Sequence, residues 1–382
     1  MDLEHQPLRI KVAFLDVGQG DTIVVSSFDT HEAIVVDCIN ADAVLDYLEQ
    51  EQIKYLRGVI ITHLHADHYS EVDYLLYRCN LVPGISECER LGFSTILDKR
   101  NFDKLLQDAD EHSSSYEDTF QIGKNSKHSP LENLLRWCKS DKSRYIIPQV
   151  QIMPSTLPFN GTLAKNIRLI YPYAIDMPSL ESKGLNNTSV VLRVSGINSS
   201  ALLTGDLEPA GWHVLQSGYP DLRSDILKFP HHGGGWNTEE TKTLLDIVQP
   251  SVVIISVGTE GEKYKHPNEE VFQTLASPAY SHIQVLCTQA TNQCQLSVLD
   301  QKHSVIQLLD RQANGRGYKR VASKRGCPCS GTIIIELDNE LRVIQPSREF
   351  HQDSIILPHF HAHKCVFAPT TPISTSSDMD IY

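Results

Sequence analysis

Apolar and polar positions along the chain form short runs whose period switches between that of strands and that of helices. LRIKVAFLDV and DTIVVSSF are strand-like, and the turn Gly18-Gln19-Gly20 between them predicts a hairpin. EAIVVDC carries a further strand signal, after which ADAVLDYLEQEQI places its apolar residues at helical spacing. RGVIITH is a continuous apolar run, as expected of a strand buried on both faces. From about Leu81 to Pro158 the pattern changes to dense Ser, Asp, Lys and His with short helical pieces such as FDKLLQDAD and LENLLRWCK. This stretch, about 81–160, reads as a helical, loop-rich insertion.

Strand signals resume at NIRLIYPY, TSVVLRVSG and SSALLTGD. A helix-like EPAGWHVLQSG, the strand DILKFPHH, the helix TEETKTLLDIV, the strand PSVVIISVG, the helix NEEVFQTL and the strand HIQVLCTQ follow. Strands alternating with helices predict α/β layers. Beyond Asp310 a basic, Gly-rich stretch leads to the strand-rich run TIIIELDNELRVIQP. The expected organisation is a main domain over 1–310, a linker and small strand-rich appendage over 311–367, and a disordered tail over 368–382.

Composition narrows the class. The 382 residues, 41% hydrophobic and 21% charged, suit one large globular domain with an appendage. No run approaches the roughly 18–20 uninterrupted apolar residues of a membrane span, and MDLEHQPLRIKV does not read as a secretory signal. A cytoplasmic chain without a membrane partner is the expectation. Nine scattered Cys residues form no secreted disulfide framework. A net charge of −13 argues against a general nucleic-acid binder. It leaves room for an enzyme that cuts phosphodiesters, because bound metal ions can reverse the sign locally.

Candidate chemistry gathers where apolar runs stop. RGVIIT runs into His63, ALLTG into Asp206, DILKFP into His231, and SVVIISVG into a loop that reaches His266. Sites in layered α/β proteins collect at such strand ends. His63-Leu64-His65-Ala66-Asp67-His68 is the densest cluster. Residues two apart on an extended segment share a face, so His63 and His65 can grip one ion while Asp67 and His68 address a second. Imidazole and carboxylate suit zinc, manganese or iron. Asp206 reads either as a carboxylate bridging two metals or as the N-cap of the next helix. The pair His231-His232 can supply one ligand and one substrate contact.

FLDVGQGDTIVV, VIITHLHADH, NNTSVVLRVSG, ALLTGD, DILKFPHHGG and VIISVG...HP occur in this order. Together they resemble the metallo-β-lactamase superfamily, and within it the branch similar to the hydrolase domain of the bacterial DNA-uptake channel protein ComEC, over residues 8–290. The resemblance implies a four-layer αββα sandwich with two divalent metal ions, Zn or Mn, at one edge. It implies His63 and His65 as ligands of the first metal, Asp67 and His68 of the second, Asp206 as the bridge and His231 as the late second-metal ligand. His266 would contact substrate or protonate the leaving group. The sequence departs from the superfamily where a His is usual: the loop reads Gly184-Leu185-Asn186-Asn187-Thr188-Ser189. Asn is a weaker, neutral ligand, which implies a first metal loosely held or completed by water. Tyr69-Ser70-Glu71 and HHGGGW are further departures, and they bear on substrate shape. The membrane helices of ComEC have no counterpart in this sequence, so a free-standing relative is expected.

The implied activity is a hydrolase in which metal-activated hydroxide attacks a phosphodiester, in nucleic acid or a nucleotide. Asp67 would orient the nucleophile, and His266 would serve as general acid. Hydrolysis of a small ester, thioester or lactam is an alternative, and so is a metal-stabilised binding or regulatory module without catalysis. Asp16 and Asp21 of DVGQGD either orient the ligating rings from beneath or merely shape a tight turn. Trp212, Trp236 and Trp137 either line a pocket or pack the core, with Trp236 the best candidate for a substrate contact. Cys327 with Cys329, the HFHAHKC segment (His359, His361, His363, Cys365) and the basic run 316–325 read as a packed turn, a solvated tail and a solvated charge run.

Overall fold

The computed structural model describes most of residues 8–93, 155–172, 176–258, 266–291 and 329–346, with short pieces at 133–134 and 145–146. The expected helix FDKLLQDAD, most of LENLLRWCK, Trp137, the linker to Cys327 and the HFHAHKC segment lie outside the described residues.

The chain opens with β1 (Ile10–Phe14), β2 (Ile23–Ser27) and β3 (Glu32–Val36), then α1 (Ala41–Gln50), β4 (Tyr55–Ile61), α2 (Ala66–Tyr69) and α3 (Val72–Cys79). Short strands β5 (Leu91–Phe93), β6 (Tyr145–Ile146) and β7 (Ser155–Thr156) follow, then β8 (Ile167–Tyr171), β9 (Val191–Ser195) and β10 (Ser200–Leu203). Next come α4 (Pro209–Gly218), β11 (Ile226–Lys228), α5 (Thr238–Val248), β12 (Val252–Ile255), α6 (Glu269–Leu275) and β13 (Gln284–Cys287). The described chain closes with β14 (Ile333–Leu337) and β15 (Leu341–Gln345). One sheet has the order β15-β14-β1-β2-β3-β4-β5-β6 and the other β13-β12-β11-β10-β9-β8-β7.

Alternation along the strands divides the core into layers. Val12, Phe14, Ile23, Val25, Ile34 and Ile60 of the first sheet meet Leu192, Val194, Leu203, Ile226 and Ile254 of the second. Ala13, Val24, Val35 and Val59 point the other way, onto Val44, Leu48, Leu75 and Leu76 of α1 and α3. The far face of the second sheet packs Leu202, Leu227 and Val253 against Trp212, Leu244, Leu245 and Val271 of α4, α5 and α6. Helix, sheet, sheet, helix is the four-layer αββα sandwich. Local signals start the helices where the sequence places them. The Asn40 side chain accepts from Ala43 N at 3.0 Å to cap α1. Asn237 and Glu240 close a reciprocal capping box on α5.

Two details differ from the sequence pattern. The insertion carries β5 and β6 to the edge of the first sheet and β7 to the edge of the second. These strands span two or three residues, too few to show a period. The strand-rich run expected as a C-terminal appendage is instead the edge hairpin of the first sheet, with β14 antiparallel to β1 in the register Val12↔Ile335. Ile333, Ile335 and Leu337 are fully buried in the inter-sheet core, which a detached unit could not provide.

Candidate metal centre

The parallel strands β3, β4, β10, β11 and β12 end at the same edge of the sandwich, and their last residues lead into the candidate site. His63 and His65 follow β4, and Asp67 and His68 lie on α2. Asp37 follows β3 with φ +57. Asp206 comes after β10, Lys228 ends β11, and His231 and His232 follow with φ of 49° and 52°. Two consecutive left-handed side chains are strained, a feature that persists where the surroundings enforce it. His266 precedes α6. The turn before β2 supplies Asp21, and it can approach because Gly20, at φ +116, has no Cβ: one there would lie 2.3 Å from the Asp67 carbonyl oxygen.

Asp21, His68, Asp206 and His232 form a buried group whose four ligand atoms lie within 4.8 Å of one another. His68 Nε2 is 3.2 Å from Asp206 Oδ2, and His232 Nε2 is 3.3 Å from Asp206 Oδ1. Neither Nε2 makes an aligned hydrogen bond, nor does Asp21 Oδ1, although all three are buried. Buried polar atoms seldom remain so. Ligands about 2.0–2.2 Å from a shared zinc stand about 3.0–3.4 Å apart, so these separations fit a divalent cation between them. The other ring nitrogens are already fixed. His68 Nδ1 is 2.7 Å from Asp37 Oδ2, and His232 Nδ1 is 2.6 Å from the Ser256 carbonyl. Both anchors leave Nε2 as the ligating atom. Asp37 also accepts from Thr62 N and Thr62 Oγ1, each at 2.7 Å, which ties the end of β4 to the end of β3.

Lys228 lies beneath this group, fully buried. Its ammonium contacts Asp21 Oδ2, donates to the Gly205 carbonyl at 2.8 Å and lies 3.5 Å from Asp206 Oδ1.

Beside this group lie His63, itself buried, and a partly exposed rim that includes His65, Asp67, His231 and His266. His63 Nε2 is 3.0 Å from His65 Nδ1, and the His63 ring lies 4.2 Å from that of His68. His231 Nε2 lies 3.2 Å from Asn186 Nδ2 and its Nδ1 3.5 Å from Glu208 Oε1. Glu208 is held in turn by Asn186 Nδ2 at 2.9 Å and Asn187 Nδ2 at 3.1 Å. His266 lies beside His231, with ring centroids 5.3 Å apart and the ring planes inclined at 54°.

Charge is distributed unevenly over these rings. Burial disfavours an imidazolium at His68 and His232, but the carboxylate of Asp206 (joined at His68 by Asp37) outweighs it and raises both above the usual histidine range. Burial likewise opposes the Asp206 carboxylate, yet His232, His68 and Lys228 hold it well below its ordinary value. His63 and His231 are lowered, chiefly by burial. Burial, with His232 and His231 nearby, brings His266 down to about 4.

The structure brings His68 and Asp206 together, with His63 and His65 alongside. It sets His232 rather than His231 against Asp206, because the left-handed backbone sends the two rings in different directions. Asp67 sits on the rim, half-buried. Asp21 belongs to the ligand group itself, whereas the Asp16 carboxylate accepts from Gln289 Nε2 at 2.7 Å, away from the ligating rings. Trp212 and Trp236 are buried in the core beneath α4, α5 and α6, with ring centroids 6.3 Å apart. Asp37, Lys228 and Glu208 went unmarked in the sequence. The signal for Lys228 is a charge ending the apolar strand DILK, and for Asp37 a carboxylate ending EAIVVD.

Residues 15–90 match the family model described as the metallo-beta-lactamase superfamily. ComE operon protein 3 of Bacillus subtilis (strain 168) is 24% identical over 288 residues, covering 69% of this chain and 30% of that protein. Competence protein ComA of Neisseria gonorrhoeae is 38% identical over 87 residues, covering 22% of this chain and 12% of that protein. The chain thus spans a minor part of the length of both relatives. Among solved structures, the metallo-beta-lactamase fold protein YhfI from Bacillus subtilis aligns at 15% identity over 74% of this chain and 97% of that chain, with a TM-score of 0.37. Human tRNase Z, short form, aligns at 13% identity over 64% of this chain and 91% of that chain, with a TM-score of 0.32.

Proposed function

From the metallo-beta-lactamase superfamily domain at residues 15–90 and the homology to ComE operon protein 3, we propose that this protein is a metal-dependent hydrolase acting on phosphodiesters, in nucleic acid or a nucleotide. The observation that carries the reading is the buried group Asp21, His68, Asp206 and His232, whose Nε2 atoms face Asp206 without aligned hydrogen bonds. That group would hold one divalent ion, Zn or Mn. His63 and His65, whose ring nitrogens lie 3.0 Å apart, would help to hold another. Divalent cations there would make water reactive at neutral pH and offset charge developing on oxygen.

The chain's own residues divide the remaining work. Asp37 and the Ser256 carbonyl orient the two ligating rings. His65, Asp67, His231 and His266 are only partly buried, so substrate can reach them. With its pKa near 4, His266 is neutral at pH 7 in the metal-free chain and suits a hydrogen bond to substrate better than delivery of a proton. The phosphodiester assignment draws support from the ComEC-like motifs, and the net charge of −13 leaves attraction of a polyanion to the metal edge.

Elemental analysis of the purified chain, followed by assays on bis-p-nitrophenyl phosphate and single-stranded DNA and RNA with Zn²⁺ or Mn²⁺, tests the reading. We expect bound metal, loss of hydrolysis on chelation, and at least a hundredfold lower rate for Asp206→Asn and Asp67→Ala. A chain that takes up no metal, or that binds metal and cleaves only carboxylic esters or lactams, overturns it.

A further inference from the structure

Lys228 is hard to account for as a stabiliser. It ends a strand whose Ile226 packs into the inter-sheet core, where an apolar side chain would extend that core. Buried ion pairs commonly add little over apolar packing of the same volume. Its ammonium is nonetheless completely enclosed and touches two members of the ligand group, Asp21 and Asp206. Those carboxylates and that of Asp37 are each at most 3% exposed. Like charges so enclosed repel unless a cation stands among them.

We propose that Lys228 is a resident cation of the metal centre: its ammonium neutralises Asp21 and Asp206 in the metal-free chain and weakens their hold on a divalent ion. The inference rests on the reading that this group binds such an ion. An incoming cation must share Asp21 and Asp206 with a positive charge that cannot leave, because Nζ is also bonded to the Gly205 carbonyl and water has no access to it. The remaining groups facing the site, Asp37, His63, His68 and His232, offer no second permanent cation. Lys228 thus trades affinity for a folded, preassembled site, and it leaves the bound ion more electron-poor than the same ligands alone would.

The test compares the full-length chain with Lys228→Met after chelation. Melting is followed during Mn²⁺ titration, and affinity is measured by competition with a fluorescent chelator. The variant is expected to melt below the unaltered chain without metal, to gain more on adding Mn²⁺, and to bind Mn²⁺ at least about tenfold more tightly. Equal or weaker binding by the variant, alongside clear binding by the unaltered chain, overturns the proposal and leaves the metal-centre reading standing. No binding by the unaltered chain removes that reading, and the proposal with it. Lys228→Gln, which keeps a donor toward Gly205, serves if Lys228→Met does not fold. If neither variant folds even in millimolar Mn²⁺, the ammonium is a structural strut and the proposal fails.

Discussion

The carboxylate of Asp37 accepts from Thr62 N, Thr62 Oγ1 and His68 Nδ1, and it touches no other member of the ligand group. Its effect is to fix the tautomer and tilt of one ligating ring. Asp37→Asn keeps the size and tolerates the left-handed backbone while removing the charge. It should lower divalent-metal affinity about 10- to 100-fold, read by chelator competition, with secondary structure unchanged. Unaltered affinity would mean that His68 is oriented by something else. The rings also set how metal-free stability depends on pH. His63, His231 and His266 have folded pKa values below the unfolded 6.5, so the unfolded state takes up protons first and stability falls as pH drops from 6.5 toward 4. His68 and His232 have raised values, so what they contribute is fully present below pH 6.5 and is lost as pH rises through their folded pKa. Urea unfolding of chelated protein should therefore show a maximum near pH 6.5. A profile still rising above pH 8 would contradict these assignments.

At the level of elements, a short turn and a short helix meet edge to edge. The turn before β2 reaches α2 through Asp21 N, which donates to the Asp67 carbonyl at 3.2 Å. Gly20 permits that approach, and its φ of +116° is one that side chains rarely adopt. Gly20→Ala should cost more than about 2 kcal/mol, since strain and a backbone clash act together. The same change should weaken metal binding, because Asp21 and His68 shift with the two elements. A melting temperature within a degree or two of the unaltered chain would show that the turn can move away without loss.

The two sheets hold the ligand group between them: Asp21, Asp37 and His68 belong to the first, Asp206, Lys228 and His232 to the second. Anything that loosens the inter-sheet core loosens the site. Ile333, Ile334, Ile335 and Leu337 of β14 are all buried. At about 1.5–3 kcal/mol each, these four contribute about 6–12 kcal/mol, comparable to the whole stability of a typical domain. A chain truncated before Ile333 should fail to give a cooperative thermal transition by circular dichroism. Cooperative melting of the truncated chain would show that β1 can serve as an edge strand. The main strands, the α/β class and the cluster His63, His65, Asp67 and His68 could be read along the chain, because backbone periodicity and spacing within six residues are local properties. The place of β14 could not, since a strand gives no sign of which distant edge it will join. Nor could the choice of His232 over His231 beside Asp206, the contact of Lys228 with Asp21, or the burial of Trp236. Those depend on left-handed backbone at two residues and on side chains crossing between sheets, and both exist only once the layers have packed.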